Sequence, residues 1–469
     1  MNNSEPQFRL ESDPLGEVRV PSHAMYGVQT RRALENFQIS RLRAHPLLIT
    51  AFVEIKKAAA EANLQTGTLD PDIAEVIIRA ADELLAGSWH DQFDLDVFQA
   101  GAGTSYNMNV NEVIANRALE MLGRRRGEYE RLNPNDHVNK AQSTNDTMPT
   151  AMRTAAVRLL RRLLVALDEL TASLTAKADE FADVVKSGRT HLHDATAMTL
   201  GQEFGGYADN VARAAERLRA AEAPLLEIPL GGTAVGTGVN THPDYARVAT
   251  ARLGEITGLA LREARNRFQS MQSLGDFVAL SGALRSLAIE LSKIANDLRL
   301  LSSGPHTGLD EIELPAVQPG SSIMPGKVNP VIPEVVNMVC FRVIGSDQTV
   351  TMAAEAGQLQ LNVFEPVIAA CIFEAQTLFI NAARTLREHC IEGITVNADV
   401  CRHYVDYSIG TVTALNPVIG YERATELATE AQKTGRGILE LVREQRVLSE
   451  EQIAQVLDPM AMTGQTQKV

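Results

Sequence analysis

A mainly α protein built around a bundle of long helices is the fold class this sequence predicts. Two observations lead there. Aromatic residues are only 5% of the 469-residue chain while hydrophobic residues are 45%, with Ala and Leu plentiful, which favours packed helices over strands. From Ala151 to Ser187 there is neither Gly nor Pro, and Ala156, Leu160, Leu163, Leu167, Leu170, Leu174, Ala178 and Phe181 recur at steps of three and four. That spacing is a heptad-like seam on one helix roughly 50 Å long.

Further long helices are expected over 200–223, over 270–302 with Gly275 and Gly282 as weak points, and in two or three pieces over 333–390, where Pro366 is a break or kink. The stretches 350–363 and 367–382 are apolar on more than one face, so they lie either centrally in the chain or against other chains. Before this region, turn signals punctuate shorter helices, clearest over 51–62 and 71–85, and FRLESDPLGEVRV can hold two short strands. After it the chain returns to short helices, with a capping box at Ser449 and Gln452 and a frayed end. The expected domains are therefore 1–142, mixed but mostly helical; 143–396, the long-helix bundle; and 397–469, small and helical.

Lys plus Arg is 44 against 58 Asp plus Glu, a net charge of -14. This argues against a general nucleic-acid or anionic-membrane surface but leaves room for a small anion at a local positive site. The four cysteines, Cys340, Cys371, Cys390 and Cys401, form no CxxC pair and read as buried free thiols in a reducing compartment. The first residues carry no basic start or apolar run, and no stretch is expected to reach the ~20 apolar residues that span a bilayer. A cytoplasmic protein is the resulting expectation.

Four polar segments interrupt the helices: GAGTSYNMNVNE (101–112), AQSTNDTMP (141–149), SGRTHLHDA (187–195) and GSSIMPGKVNP (320–330). Taken singly, the second and third read as ordinary helix caps and turns, and the first reads either way. The fourth asks for more. Gly320, Pro325, Gly326 and Pro330 bend and end a loop, but turn-making does not require Ser321, Ser322, Lys327 and Asn329 between them. A lysine ammonium and an amide suit a carboxylate, and the glycine-containing stretch can act as a lid. No cysteine nucleophile, metal cluster or phosphate loop accompanies it, and the glycines of GGTAVGTG lack the strand-then-helix context of a dinucleotide site. They suit a tight turn with close backbone approach. Neutral donors with a cation or two fit a small anion and the extra negative charge that develops on it during reaction. No metal or cofactor is called for.

Together these segments resemble the fumarase/aspartase superfamily, whose signature loop GSSIMPGKVNP matches. The order and spacing of GAGTSYNMN, QSTND, GRTHLHDA and GGTAVGTG agree, and the resemblance covers essentially the whole chain. Within the superfamily, Ala102 and Ser105, MYGVQT at 25–30 and MAAEAGQLQLNVFEPV at 352–367 are closer to aspartate ammonia-lyases than to fumarases. The resemblance implies a three-domain α-helical fold, a homotetramer with a twenty-helix core, and active sites each drawn from three chains. It implies elimination of ammonia from L-aspartate to give fumarate. A class II fumarate hydratase is the alternative, and a catalytically inactive helical scaffold a more distant one.

It also implies roles. Ser321, as its alkoxide, is the general base that removes the proton next to the β-carboxylate, which requires backbone N–H groups of the loop to stabilise the oxyanion. Thr104, Ser143, Thr144 and Ser322 hold the resulting aci-carboxylate. Lys327 and Asn329 bind the α-carboxylate, and Asn145, Thr190 and His191 contact the amino group or the nearby carboxylate. Glu334 orients His191. Tyr106 and His193 depart from the common pattern and read as drift beside the site.

Overall fold

The computed structural model describes residues 7–464, so the fraying expected at the C-terminus lies outside it from Gln465 onward. The chain opens with the two expected strands, β1 (Phe8–Asp13) and β2 (Gly16–Pro21), paired antiparallel. The helices that follow are α1 (Val28–Asn36), α2 (Pro46–Gln65), α3 (Pro71–Leu85) and α4 (Thr104–Met121). Helix α2 starts where it does because the His45 ring accepts from the Leu47 N–H at 3.2 Å and Pro46 fills a position that needs no donor.

Helix α5 runs from Thr144 to Glu180, shifted toward the N-terminus from the expected 151–187. Ser143 sets its start: the Ser143 carbonyl accepts from Thr147 N at 3.1 Å and its hydroxyl from Asn145 N at 3.2 Å. Its end is set by a strand, β3 (Val185–Thr190), which pairs antiparallel with β4 (His193–Thr199). The seam residues Leu160, Leu163, Leu167, Leu170 and Leu174 are all buried, as the spacing requires.

Beyond the hairpin come α6 (Leu200–Ala220), α7 (Glu222–Leu225), α8 (Tyr245–Thr257), α9 (Arg267–Gln272), α10 (Gly275–Leu301), α11 (Val331–Glu355) and α12 (Glu365–His389). Pro366 falls in the first turn of α12, so it marks a break between helices and not a kink. Short helices complete the chain, including Glu450–Val456, whose capping box from Ser449 and Gln452 is formed.

Two compact units divide these elements: residues 1–164, 217–286 and 342–378 form one, and 165–216, 287–341 and 379–469 the other. In the first, segments of the long helices are tied by Gln376 Nε2 donating to the Ala156 carbonyl at 3.0 Å and Ser281 Oγ to Asp347 at 2.7 Å. In the second, Asn337 Nδ2 donates to Ser292 Oγ at 2.9 Å and Lys177 Nζ to the Ile394 carbonyl at 2.9 Å. That unit also holds a small C-terminal core of Leu415, Leu427, Ile438, Leu441 and Val442.

The two multi-faced apolar stretches have different fates. Residues 367–382 lie in α12 and are mostly buried within the chain, whereas 350–363 is not one helix: α11 ends at Glu355 and an irregular connection follows, with Met352 and Leu359 exposed. Helix α11 also leaves Val335, Met338, Phe341 and Ile344 exposed. The expectation that no stretch could cross a bilayer needs correction: Glu365–Gly393 is long and apolar enough, because charged residues are sparse along it. Of its apolar window 61% is buried inside the protein, which marks a core helix. All four cysteines are free thiols, with only Cys371 partly exposed, and burial pushes Cys340, Cys390 and Cys401 up to about 12.

Candidate active site

Two of the polar segments open helices within the first unit. Gly101–Gly103 turn the chain, with Ala102 and Gly103 at φ 57° and 76°, and deliver Thr104 as the first, exposed residue of α4. Ser143, Thr144 and Asn145 open α5. A helix start gathers N–H groups and the positive end of the helix dipole, so both places suit an anion. The helix cap expected of the second segment is made by Ser143, and it does not use up the hydroxyl's own proton.

The two helix starts meet through Asn107, one turn beyond Thr104 on the same face of α4. Its Nδ2 donates to Thr144 Oγ1 at 3.1 Å. Behind the α5 start lies Asp146, fully buried, whose Oδ1 accepts from Ser143 N at 2.9 Å. Its Oδ2 accepts from Gly231 N at 3.0 Å and Thr233 N at 2.9 Å, binding the GGTAVG turn to the same spot. Burial pushes this carboxyl up to about 6 against those hydrogen bonds. Asn145 Nδ2 donates to the Ala234 carbonyl at 2.8 Å. The turn is tight as its glycines suggested: a Cβ at Gly231, at φ 89°, would stand 2.5 Å from that of Ala246.

The second unit holds the other two segments. SGRTHLHDA, read from sequence as a cap or turn, is the β3–β4 hairpin, whose two-residue turn is His191–Leu192. Both turn residues have positive φ, 57° and 61°, the combination of a type I′ turn that neither residue type announces. Thr190, His191 and His193 are all exposed there, and Thr190 pairs with His193. The strand below is held by Glu311, fully buried, whose carboxylate lies 2.8 Å from both Lys186 Nζ and Arg189 Nη1.

The 320–330 loop folds on itself. Gly320 N donates to the Lys327 carbonyl at 2.7 Å, and Asn329 Nδ2 donates to the Gly320 carbonyl at 2.6 Å, so one Asn329 N–H braces the loop. Inside this ring Ser321 Oγ accepts two backbone N–H groups, from Ile323 at 3.1 Å and Met324 at 2.8 Å. Ser322 and Lys327 are exposed, and Ile323 is 83% exposed. The loop ends at Pro330, whose carbonyl accepts from Glu334 N at 3.2 Å in the first turn of α11.

A lyase family model matches residues 16–345, and a model described as the fumarase C C-terminus matches 412–464. The chain belongs to the lyase family of fumarases and aspartases. Among relatives of this family, it is 53% identical to the aspartate ammonia-lyase of Corynebacterium glutamicum over 97% of this chain and 87% of that protein. It is 52% identical to that of Pseudomonas aeruginosa over 97% of this chain and 96% of the relative. The solved fumarate lyase:delta crystallin of Brucella melitensis superposes with a TM-score of 0.94 at 50% identity, covering 97% of this chain and 99% of that one. The mainly helical fold expected from the resemblance is therefore the fold of this lyase.

Within one chain, the first unit gathers Thr104, Ser143, Thr144 and Asn145, and the second carries Thr190, His191, Ser321, Ser322, Lys327, Asn329 and Glu334. Among the described residues no hydrogen bond or ion pair joins Glu334 to His191 within the chain. Tyr106 is 2% exposed and its backbone N–H donates to Gln99 Oε1 at 3.1 Å, so its bulk goes to the core. Sequence reasoning overlooked Lys56, Asn107, Asp146 and Glu311. A signal existed for Lys56: it falls four residues after Phe52 and four before Ala60, on the apolar face of α2.

Proposed function

We propose that this lyase eliminates ammonia from L-aspartate, reversibly, to give fumarate, with Ser321 as general base. The observation that carries the reading is the pair of backbone N–H groups on Ser321 Oγ. A serine hydroxyl is a very weak acid, and two fixed donors already aimed at its oxygen stabilise the alkoxide without reorganisation. The alkoxide takes the proton from the carbon beside the β-carboxylate, whose second negative charge falls to Thr104, Ser143, Thr144 and Ser322. Lys327 and Asn329 hold the α-carboxylate, with the second N–H of Asn329 still to give. Asn145, Thr190 and His191 meet the amino group or the nearer carboxylate. Two close relatives named aspartate ammonia-lyase, each near half identical over almost the whole chain, support ammonia and not water as the leaving group.

The working form in this reading is a homotetramer in the cytoplasm, with each site assembled from three chains and Glu334 of one chain orienting His191 of another. The exposed α11 face supports it: Met338, Phe341 and Met352 are each 64% exposed on one side of the helix, an apolar set of the kind that marks a contact with another chain. The test is fumarate release, followed by ultraviolet absorbance, from aspartate, malate, argininosuccinate and adenylosuccinate supplied separately to the purified protein. Turnover of aspartate is expected. Activity on malate alone would mean a fumarase, and binding of aspartate without turnover an inactive scaffold.

A further inference from the structure

The ammonium of Lys56 lies fully buried on α2 in the first unit, with no carboxylate in contact among the described residues. Its three hydrogen bonds go to side-chain amides: Asn107 Oδ1 at 2.6 Å, Asn139 Oδ1 at 2.9 Å and Gln142 Oε1 at 2.9 Å. Burying a lysine in this way is costly, and the elimination chemistry gives it no task. We infer that Lys56 is a positioning residue that fixes the direction of a hydrogen-bond chain, Lys56–Asn107–Thr144, so that the Thr144 hydroxyl presents its proton to the substrate's carboxylate.

The reasoning concerns polarity. An ammonium has donors and no acceptor, so each amide must turn its oxygen toward Nζ. For Asn139 and Gln142 this orientation is fixed a second time, because their NH2 groups donate to backbone carbonyls: Asn139 to Gln142 O at 3.2 Å, Gln142 to Val138 O and Lys140 O at 3.1 Å. Asn107 donates to no backbone carbonyl among the described residues; Lys56 orients it, together with the Asn139 oxygen that itself faces Lys56. Its Oδ1 faces Lys56 and, at 3.3 Å, the Thr147 hydroxyl. Its Nδ2 therefore faces Asn139 Oδ1 at 3.2 Å and Thr144 Oγ1 at 3.1 Å. With the amide locked that way, the Thr144 oxygen accepts on its inner side and its proton is left to point outward.

Turned over, Asn107 would present its oxygen to Thr144. The hydroxyl would then donate inward and offer only lone pairs to an anion, which repel the charge that must be held. The choice between a donor and an acceptor at the site is thus made one residue away, by a cation two links back and the Asn139 amide that the same cation faces. Burial pushes Lys56 down to about 7, while Asp146 nearby favours the charged form. Even a neutral amine keeps two donors, enough to hold the shortest contact, the one to Asn107.

This inference rests on Thr144 being a carboxylate ligand, and a double-mutant cycle separates the two claims. Lys56→Met, Thr144→Val and the double variant are compared for aspartate deamination, with circular dichroism and size-exclusion chromatography as folding controls. Lys56→Met should lower kcat/KM by about tenfold to a hundredfold, the range of a lost charge-assisted hydrogen bond, and Lys56→Arg should recover most of it. On Thr144→Val, which has no proton left to orient, Lys56→Met should change kcat/KM by less than about threefold. An equal loss in both backgrounds would mean Lys56 merely stabilises the fold, and would overturn the inference alone. A Thr144→Val enzyme with unchanged kinetics would overturn the role of Thr144 itself. Should Lys56→Met prove insoluble, Asn107→Leu breaks the chain one link nearer the site, and an effect undiminished on Thr144→Val counts against the inference equally.

Discussion

Glu311→Gln should loosen the hairpin that carries His191 while leaving the rest of the lyase folded. Glu311 is fully buried, Lys186 is 2% exposed, and both Lys186 and Arg189 of β3 lie 2.8 Å from its carboxylate. The substitution keeps the shape and removes one negative charge. Lys186 retains Glu203 as a partner. Arg189 is left with the Ser187 carbonyl at 3.4 Å and the face of Tyr404 at 5.1 Å, neither of which neutralises it. Removing one member of a buried ion pair costs about 3–5 kcal/mol, and the surviving Glu203 contact places this case near ~3 kcal/mol. That corresponds to about a hundredfold in the opening equilibrium of the local structure. The measurement is amide hydrogen exchange on peptides spanning 185–199, which should speed up by that factor while peptides of α2 stay unchanged. Activity on aspartate should fall with it, because the His191 turn has lost its foundation. Exchange within about threefold of the wild type across 185–199 would refute the argument that Glu311 anchors this strand.

Three further outcomes are expected. Ser321→Ala should lower kcat by about a hundredfold to ten-thousandfold while calorimetry still detects aspartate binding; near-normal turnover would remove Ser321 from the base role. Lys327→Ala should raise KM by about tenfold to a hundredfold with a smaller change in kcat, and an unchanged KM would contradict its carboxylate contact. Glu112, fully buried, accepts from Gly27, Gln29 and Thr30 N–H groups at 2.8, 2.8 and 3.1 Å, and burial raises it from 4.5 to about 7. The folded state then holds a proton the unfolded chain sheds between those values, so the stabilisation is full below pH 4.5 and lost as pH rises through 7. Glu112→Gln abolishes that titration: relative to it, wild-type stability in urea should decline by about 3 kcal/mol from pH 4.5 to 7, and parallel profiles would count against the shift.

How far the sequence carried the structure depended on where each signal was stored. The α5 seam was legible because apolar spacing is a local record of a buried face, and β1–β2 because their turn is marked by Pro14 and Gly16. The start of α5 was misjudged because Pro149 discouraged a helix through it, whereas Ser143 caps one that includes it. The hairpin at 185–199 was missed altogether. Its turn residues, His191 and Leu192, adopt positive φ without Gly or Asn, and the burial of Lys186 and Glu311 that supports it joins residues more than a hundred positions apart. Ser321 and its loop were recognised by motif, yet the N–H groups that stabilise its oxygen belong to Ile323 and Met324, whose side chains say nothing about their backbones. Lys56 is half legible. Its place on the apolar face of α2 marks it as buried, but the three amides from 107–142 that surround it come together only in the fold.

The placement of Glu334 links catalysis to assembly in the tetrameric reading. It stands half-buried in the first turn of α11, and the next residue, Val335, begins the exposed apolar face that continues through Met338, Phe341 and Ile344. A chain that covers this face must also exclude water from the turn bearing Glu334. The area buried supplies the driving force for association. The same event lowers the dielectric around the carboxylate, where its attraction for an imidazole from a neighbour is stronger than at a wet surface. A separated chain would keep Ser321 and its two N–H donors, because those contacts lie within the loop. It would lack a desolvated partner for His191. In that reading the base is built by local folding and the His191–Glu334 pair by association.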